Sequence, residues 1–569
     1  MATVEIVRGI AGKDRSGKAR ANLFSVGWFS KDKSKRDHRE AEVDIPLGFT
    51  AYRSPPSYVG GNSVLVQVWA VGLDGTDARL VGLDPSPSSS SLATSPYSSD
   101  GEKFNTLKDD RIKTPSPGYT PGRSFVGRVL ETGWEVREEI IKRGEWVYGL
   151  YPVNKSGALA EFIIVDRHRI HRVPHPWMPP AAAAPFQVSN PSRFQGGDAT
   201  PEMDGKKGLT IDELALLPLI GLPAHRAVRS LAELTHTLAK PHSLSSPTGE
   251  GSGIQERYHR AMSGVDQEIK EDMSEIGDQR VHIRPRVLIL RAHDGPGALA
   301  LKLLVRSGWS VWAHVPVPFP LPGPKESPDE ETLDEKESEK DVRRSTLHAI
   351  ETRLRDWGAQ ETGSVIALQK YLSLMRVHFD AVLDTLGGRE VWEAGRMLLS
   401  QPVHDKSRQD VPAQFTTTVG DIPDRIVATA GDHFRAGVRS LRVGSGKDLN
   451  AELQEQMEAL PPEIKRSKEK PRAVQYSWVN IVSDVDWDGS DVRDTLFSVL
   501  KAALDDKILP HVTCSDFKRP NKGKGVAKRA AMSANLEGGK VIPFENTPSV
   551  FKQGGGLEYG GTIVSRIVG

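Results

Sequence analysis

The sequence predicts an α/β protein that combines a small β-barrel-like domain with a doubly wound parallel sheet. Short β-rich runs, punctuated by glycine, occupy much of the chain between Val64 and Pro174. A strand, a glycine turn, a helix and a second strand then follow one another in Arg286–Val315. Further apolar runs with glycine exits come later, at Phe379–Gly388 and Gln414–Asp421. Strands that alternate with helices in this way are typical of a parallel sheet.

Length and composition restrict the class of protein. A chain of 569 residues is long enough for two or more domains. Lys and Arg number 75 against 74 Asp and Glu, so no global field favours nucleic acid. No run approaches 18 uninterrupted apolar residues, so we expect no transmembrane helix. The single cysteine, Cys514, excludes an internal disulfide and a multi-cysteine zinc site, and the expected compartment is the cytoplasm.

The amino-terminal third reads as a basic irregular segment followed by a β domain. Residues 1–40 include SKDKSKRDHRE, although Val-Glu-Ile near the start is typical of a strand. Residues 41–208 are assigned to the β domain, because VLVQVWAVGL from Val64 alternates and shorter β-rich runs follow it. A Ser/Pro-rich insertion at 85–117 interrupts this domain.

The parallel sheet is assigned to residues 209–510, with polar insertions at 235–284 and 316–344. Thr210 and Glu213 stand at capping-box spacing before an apolar run, which predicts a helix start. Late in the chain, apolar residues from Val492 recur on one face of a second predicted helix. A basic loop at 511–540 and closing strands at 541–569 complete the chain.

The turn between the first strand and helix of Arg286–Val315 is a candidate phosphate site. Such turns place a dinucleotide's pyrophosphate on a helix N-terminus and need small residues for close approach. Gly295 and Gly297 meet that need, whereas Arg291 and Asp294 stand where glycine would be easier. Asp294 would bring a like charge to the phosphate, which Arg291 or His293 could offset. The turn alone leaves nucleotide binding and a structural turn equally open.

Six segments then occur in the order expected of the medium-chain dehydrogenase/reductase superfamily. They are PGRSFVGRVLETG, SGALAEFIIVD, DELALLPLIGLPAHRAV, RVLILRAHDGPGALALKLL, FDAVLDTLGG and VIPFENTPSVF with GGTIVSRIV. The chain resembles the zinc-independent quinone oxidoreductase and enoyl-reductase-like branch, in a divergent, fungal-type form with long insertions. The resemblance implies a GroES-like β-barrel domain, a doubly wound Rossmann domain, and a C-terminus that returns to the GroES-like domain.

The resemblance also bears on metal and catalysis. It would place zinc ligands near Asp74 and at Arg123, with Ser124 where an acid often lies. A cation at Arg123 would repel Zn²⁺, so we predict no zinc and no other metal. Tyr119 and Ser124 are the candidate catalytic proton donors, and a structural role for either stays open.

A cofactor site can be carried over to this sequence from the resemblance. No acid stands about 20 residues after the glycine turn, where Val315 lies, which favours NADPH over NADH. Arg291, which could offset the charge of Asp294, also belongs to this candidate site. The other candidate cofactor-binding residues are Gly295, Pro296, Gly297 and Ala298 at the pyrophosphate, His314 and Val315 near the adenine ribose, and Thr385, Leu386, Gly387, Val419 and Gly420 beyond them.

The function implied by the resemblance is NAD(P)H-dependent hydride transfer to a conjugated carbonyl. The partner would be a small carbonyl or quinone substrate, and a homodimer is compatible with it. The alternative is a catalytically degenerate protein, because some similar fungal members are associated with delivering a plasma-membrane proton ATPase to the cell surface. Basic loops at Lys31–Arg39 and Lys518–Arg529 could then make peripheral contact with anionic lipid.

Overall fold

The structure is a computed structural model that describes a large part of the chain. The described residues are 1–6, 47–81, 118–177, 208–234, 284–316, 345–363, 378–441, 472–481, 490–513, 539–551, 557 and 561–568, with gaps at 52, 154, 346, 402, 404–410, 424 and 426. Both basic loops, Cys514 and the insertion predicted at 85–117 lie outside them, as do most of the insertions predicted at 235–284 and 316–344.

The first domain is built on a seven-stranded sheet whose long strand β3 contacts three partners. Its first elements are β1 (Thr3–Ile6), β2 (Leu47–Thr50), β3 (Ser63–Leu73), α1 (Gly75–Leu80), β4 (Ser124–Thr132), β5 (Trp146–Leu150), β6 (Phe162–Asp166) and β7 (Ile170–Val173). β1 and β2 form a separate antiparallel pair. Val4 and Ile6 are buried against the barrel core. Residues 1–40 were expected to be irregular, but Thr3–Ile6 within them form a strand.

The second domain is a six-stranded sheet in which every neighbouring pair is parallel. Its elements, after the connecting helix α2 (Ile211–Ser230), are β8 (Arg286–Ile289), α3 (Gly295–Arg306), β9 (Ser310–His314), β10 (Glu361–Gly363), β11 (Ala381–Asp384), α4 (Arg389–Leu399), β12 (Ala413–Thr417), α5 (Ala430–Leu441), β13 (Val474–Trp478) and α6 (Ser490–Asp505). A further helical stretch occupies 347–356.

The strand order β10-β9-β8-β11-β12-β13 is that of a doubly wound dinucleotide-binding sheet. The strands are covered on both faces. In β8, Val287 and Ile289 join the core that contains α3, whereas Leu288 joins a separate core with Phe415. Alternate burial on two faces explains why β8 reads as a continuous apolar run, and it confirms the predicted fold class.

The carboxyl-terminal elements return to the first domain. They are β14 (Lys540–Pro543), α7 (Thr547–Val550) and β15 (Ile563–Arg566). β15 pairs antiparallel with β3, with Ile563 opposite Leu73, so the predicted closure of the barrel domain is confirmed. The Arg566 guanidinium also donates to both Asp212 carboxylate oxygens, at 2.9 and 2.5 Å, and so joins β15 to α2.

Local signals in the sequence correctly predict where helices begin and end. Thr210 and Glu213 form the capping box that starts α2. Gly308, just past α3, has the positive φ of +82° expected of a residue that ends a helix. α2 itself packs against both α3 and β3, so it belongs to the boundary between the domains. Among the helices that the structure describes, none combines the length and the apolar character needed to cross a bilayer.

Candidate functional site

A cleft of about 180 Å³ lies between the two domains at the carboxyl edge of the parallel sheet. Its floor comes from residues that follow β8, β11, β12 and β13, because the ends of parallel strands meet at one edge. The barrel domain supplies the opposite wall. The lining includes Asp74, Arg79 and Arg123 of the barrel domain, Arg291, Asp294, Gly295, Pro296, Thr385 and Val419 of the sheet domain, and Thr562 of the C-terminal segment.

Asp294 occupies the N-terminus of α3. It is the N-cap residue, and its side chain accepts a hydrogen bond of 2.7 Å from the Gly295 amide. The carboxylate also accepts from the Thr562 amide at 3.1 Å and from the Thr562 hydroxyl at 2.8 Å. Only 4% of Asp294 is exposed. A negative charge is thus fixed where a helix of this kind usually attracts a phosphate.

The two glycines of the turn have different surroundings. At Gly297 an added Cβ would collide with the carbonyl oxygen of Arg291, so this glycine lets the helix approach the preceding turn. At Gly295 an added Cβ would meet nothing within 4 Å, although its φ of +59° favours glycine. Gly295 lines the cleft and Gly297 does not. Gly295 therefore leaves open space in front of the helix.

Arg291 is the first residue of the turn to reach the cleft. Its φ is +57°, a left-handed conformation that is unfavourable for a residue with a side chain. Its amide donates to His314 Nδ1 at 3.4 Å. Burial lowers the pKa of Arg291, while Asp294 and Asp74 act to raise it. An arginine with a lowered pKa still keeps its charge near neutral pH.

The end of β9, where the adenine ribose was expected, is buried. His314 and Val315 are both almost fully buried and do not line the cleft. Because the Arg291 amide donates to Nδ1, the ring proton of His314 belongs on Nε2, which has no hydrogen-bond partner among the described residues. Burial lowers the pKa of His314 to about 4, so the ring is neutral.

Asp384, at the end of β11, organises the loops on the other side of the cleft. Its buried carboxylate accepts from the Leu386 and Gly387 amides and from the Thr417 hydroxyl, at 2.8 to 3.2 Å. Burial raises the pKa of Asp384, and those hydrogen bonds oppose the rise. The turn they hold places Thr385 at the cleft, where its hydroxyl donates to the Leu290 carbonyl at 2.8 Å.

On the barrel side, Arg123 and Asp74 form an ion pair of 3.1 Å. Asp74 is the N-cap of α1 and shares a capping box with Asp77. Burial opposes ionisation of Asp74, but Arg123 and Arg79 together lower its pKa. Burial and the neighbouring Asp74 raise the pKa of Asp77 to about 7. The two positions where the resemblance would put zinc ligands therefore neutralise each other.

The two candidate catalytic residues lie outside the lining of the cleft. Ser124 is fully buried, and its hydroxyl donates to the Ala215 carbonyl at 2.6 Å. Tyr119 packs beside the barrel core, and burial followed by the charge of Asp77 raises its pKa. Ser124 and Tyr119 thus contact other parts of the protein and do not line the cleft. Their catalytic role stays a prediction.

The structure brings together only part of the predicted cofactor site. Five of the predicted residues line the cleft, namely Arg291, Gly295, Pro296, Thr385 and Val419. The others are not part of that lining: Gly297, Ala298, His314, Val315, Leu386, Gly387 and Gly420. Sequence reasoning missed Thr562, which is 268 residues away from Asp294 and has no local pattern that announces the contact. It also missed Arg79, whose Nη1 donates to the Pro423 carbonyl across the cleft.

No protein-family model and no curated protein matches the sequence. Among solved structures, the chain is similar to the CurK enoyl reductase, with 15% identity and a TM-score of 0.44 over 92% of this chain and 95% of that one. It is also similar to a quinone oxidoreductase from Thermus thermophilus, which has been solved in complex with NADPH, with 14% identity and a TM-score of 0.43 over 92% and 96% of the two chains. The fold assignment rests on the strand order and not on these distant similarities.

Proposed function

We propose that this chain is a zinc-independent oxidoreductase that uses a nicotinamide dinucleotide, NADPH in preference to NADH, to reduce a conjugated carbonyl or a quinone. The position of the cleft carries the proposal. It opens where the strand order reverses between β8 and β11, and both Arg291 and Thr385, which follow those strands, line it. Doubly wound sheets bind their ligands at this switch point.

The fit of a dinucleotide to these residues depends on Arg291. The open space before Gly295 and the guanidinium of Arg291 suit a phosphate group. Asp294 opposes it by charge, and Pro296 removes one helix amide that could have donated. The cleft is smaller than the roughly 300–1,000 Å³ of typical ligand pockets, so entry of a dinucleotide requires the cleft to widen.

The chemistry divides between cofactor and chain. A bound nicotinamide supplies the hydride. On the barrel side of the cleft, Arg123 is the group that we expect to polarise a substrate carbonyl, because it lines the cleft and Asp74 holds it in place. The absence of a carboxylate at His314 and Val315 supports the preference for NADPH.

Cofactor binding tests the proposal directly. Trp478 lines the cleft, so NADPH should quench tryptophan emission, and NADH should do so more weakly. Trp478→Phe is the control that assigns the signal to this site among the 11 tryptophans. If neither dinucleotide binds at millimolar concentration, the oxidoreductase proposal is wrong.

Zinc is not part of this proposal. The Asp74 carboxylate and the Arg123 guanidinium already neutralise each other in an ion pair. A metal ion at this position would have to displace the guanidinium to reach the carboxylate. Elemental analysis of the purified protein should therefore find no stoichiometric zinc. A content of about one zinc per chain would contradict this expectation.

One observation favours a second candidate, a degenerate family member that acts in trafficking or as a scaffold for a plasma-membrane protein. The hydrogen bonds from Thr562 hold a carboxylate at the phosphate position. The basic loops that would contact lipid lie outside the described residues. In cells that depend on the protein, a scaffold would tolerate Arg291→Gly but not neutralisation of Lys518–Arg529, whereas an oxidoreductase would show the reverse.

A further inference from the structure

Arg291 keeps a backbone conformation that glycine would adopt at lower cost. Among the described residues other than glycine, only Arg291 and Lys507 have a positive φ, at +57° and +58°. Such strain persists where the surrounding structure or a function requires it, and it is concentrated at ligand sites. Lys507 follows the end of α6 and is exposed, as expected of an ordinary helix end. Arg291, in contrast, lines the cleft.

The side chain of Arg291 differs from those of the other arginines in the cleft. Its guanidinium makes no hydrogen bond and no ion pair with any residue that the structure describes. Each of the others is engaged: Arg79 donates to the Gly75 and Pro423 carbonyls, Arg123 to Asp74, and Arg425 to Asp432. A half-buried guanidinium that faces a cleft without a hydrogen-bond partner is a site for an anion.

The helix beside it offers little to an anion. The Gly295 amide already donates to Asp294, and Pro296 has no amide hydrogen. The Asp294 carboxylate cancels much of the positive end of the helix dipole. The open space in front of Gly295 is nevertheless next to Arg291, at the end of β8 where sheets of this order hold phosphate.

We infer that Arg291, and not the N-terminus of α3, recognises the phosphate groups of the ligand, which is a pyrophosphate or a phosphate ester. The inference rests on the proposed function for the position of the site. The guanidinium binds two phosphate oxygens in a bidentate manner, and its partial burial strengthens that interaction. Backbone strain at this residue is the cost of aiming the side chain into the cleft.

The chain offers a matched pair of variants for the test. Arg291→Gly removes the cation and relieves strain, whereas Lys507→Gly relieves the same kind of strain away from the cleft. Calorimetric titration at constant ionic strength would use inorganic pyrophosphate and, separately, NADPH. We expect Arg291→Gly to weaken both by about tenfold or more, and Lys507→Gly to change neither. Melting temperatures should not fall in either variant, so the loss would not reflect unfolding.

Arg291→Lys keeps the charge but loses the bidentate fork, so an intermediate affinity supports direct recognition. If wild type and Arg291→Gly bind pyrophosphate equally, the inference is wrong. NADPH binding that is unaffected by Arg291→Gly overturns the inference and leaves the proposed function standing. If pyrophosphate binding depends on Arg291 but neither NADPH nor NADH binds, the inference stands and the proposed function is overturned. If wild type binds neither pyrophosphate nor NADPH, both are overturned.

Discussion

At the scale of single residues, Gly295 and Gly297 serve different purposes although they lie in the same turn. Gly297→Ala places a Cβ against the Arg291 carbonyl oxygen, a backbone atom that cannot move aside easily. Gly295→Ala meets open space and is strained only by its positive φ. In urea unfolding we expect a loss of about 2–3 kcal/mol for Gly297→Ala and about 1 kcal/mol for Gly295→Ala. Equal losses would contradict the close approach at Gly297.

Asp77 makes stability depend on pH. Burial and the neighbouring Asp74 raise its pKa to about 7 from an ordinary value of 3.8. Since the folded-state pKa lies above the unfolded one, its contribution to stability is complete below about pH 4 and is lost as pH rises through 7. The loss is on the order of 1–4 kcal/mol.

The measurement for Asp77 is the free energy of unfolding of wild type and Asp77→Asn at pH 5 and pH 8. The amide of Asn does not ionise, so the variant does not lose stability through this group as the pH rises. The free energy of unfolding of Asp77→Asn relative to wild type should therefore be higher at pH 8 than at pH 5. A difference between variant and wild type that is the same at both pH values would show that Asp77 does not titrate in this range.

At the scale of elements, a buried ion pair holds the amino-terminal ends of the parallel strands together. Arg472 precedes β13 and Asp380 precedes β11; their side chains are 1% and 0% exposed and 3.1 Å apart. Arg472 also donates to the Val411 and Phe379 carbonyls, at 2.7 and 3.2 Å. Removing one member of such a pair leaves a buried charge without its partner.

Asp380→Ala should therefore lower the free energy of unfolding by about 3–5 kcal/mol. The matched control is Glu393→Ala on α4, where Glu393 pairs with Arg389 at 46% and 75% side-chain exposure. That exposed pair should contribute at most about 0.5 kcal/mol. Similar losses for both variants in urea unfolding would mean that burial does not decide the strength of these pairs.

At the scale of the whole molecule, Thr562 links the C-terminal segment to the helix that borders the cleft. Thr562→Val keeps the shape but removes the hydroxyl that donates to Asp294 and accepts from the Gly539 amide at 3.1 Å. We expect a loss of stability of about 2 kcal/mol and, because the contact joins two residues of the cleft lining, tighter binding of NADPH. Thermal unfolding and fluorescence titration would measure both effects. Weaker NADPH binding would mean that Thr562 belongs to the binding site and does not block it.

The elements and their order could be predicted from residues that are close together in the chain. The capping box at Thr210 and Glu213, the glycine that ends α3 at Gly308 and the apolar run of β8 each depend on residues within a few positions of one another. Local periodicity and capping chemistry therefore specify them. The resemblance to a known superfamily then predicted the return of the C-terminus, which the pairing of β15 with β3 confirms.

Which of the candidate residues reach the cleft could not be predicted in this way. The Asp294–Thr562 contact joins residues 268 positions apart, and the Arg123–Asp74 pair joins residues 49 apart. No local pattern records such contacts, because they depend on how two separately formed domains meet. The same is true of Arg291, since its lack of a partner among the described residues is known only when its neighbours are in place. Local structure was thus predictable from nearby residues, whereas the charge balance of the cleft required the assembled fold.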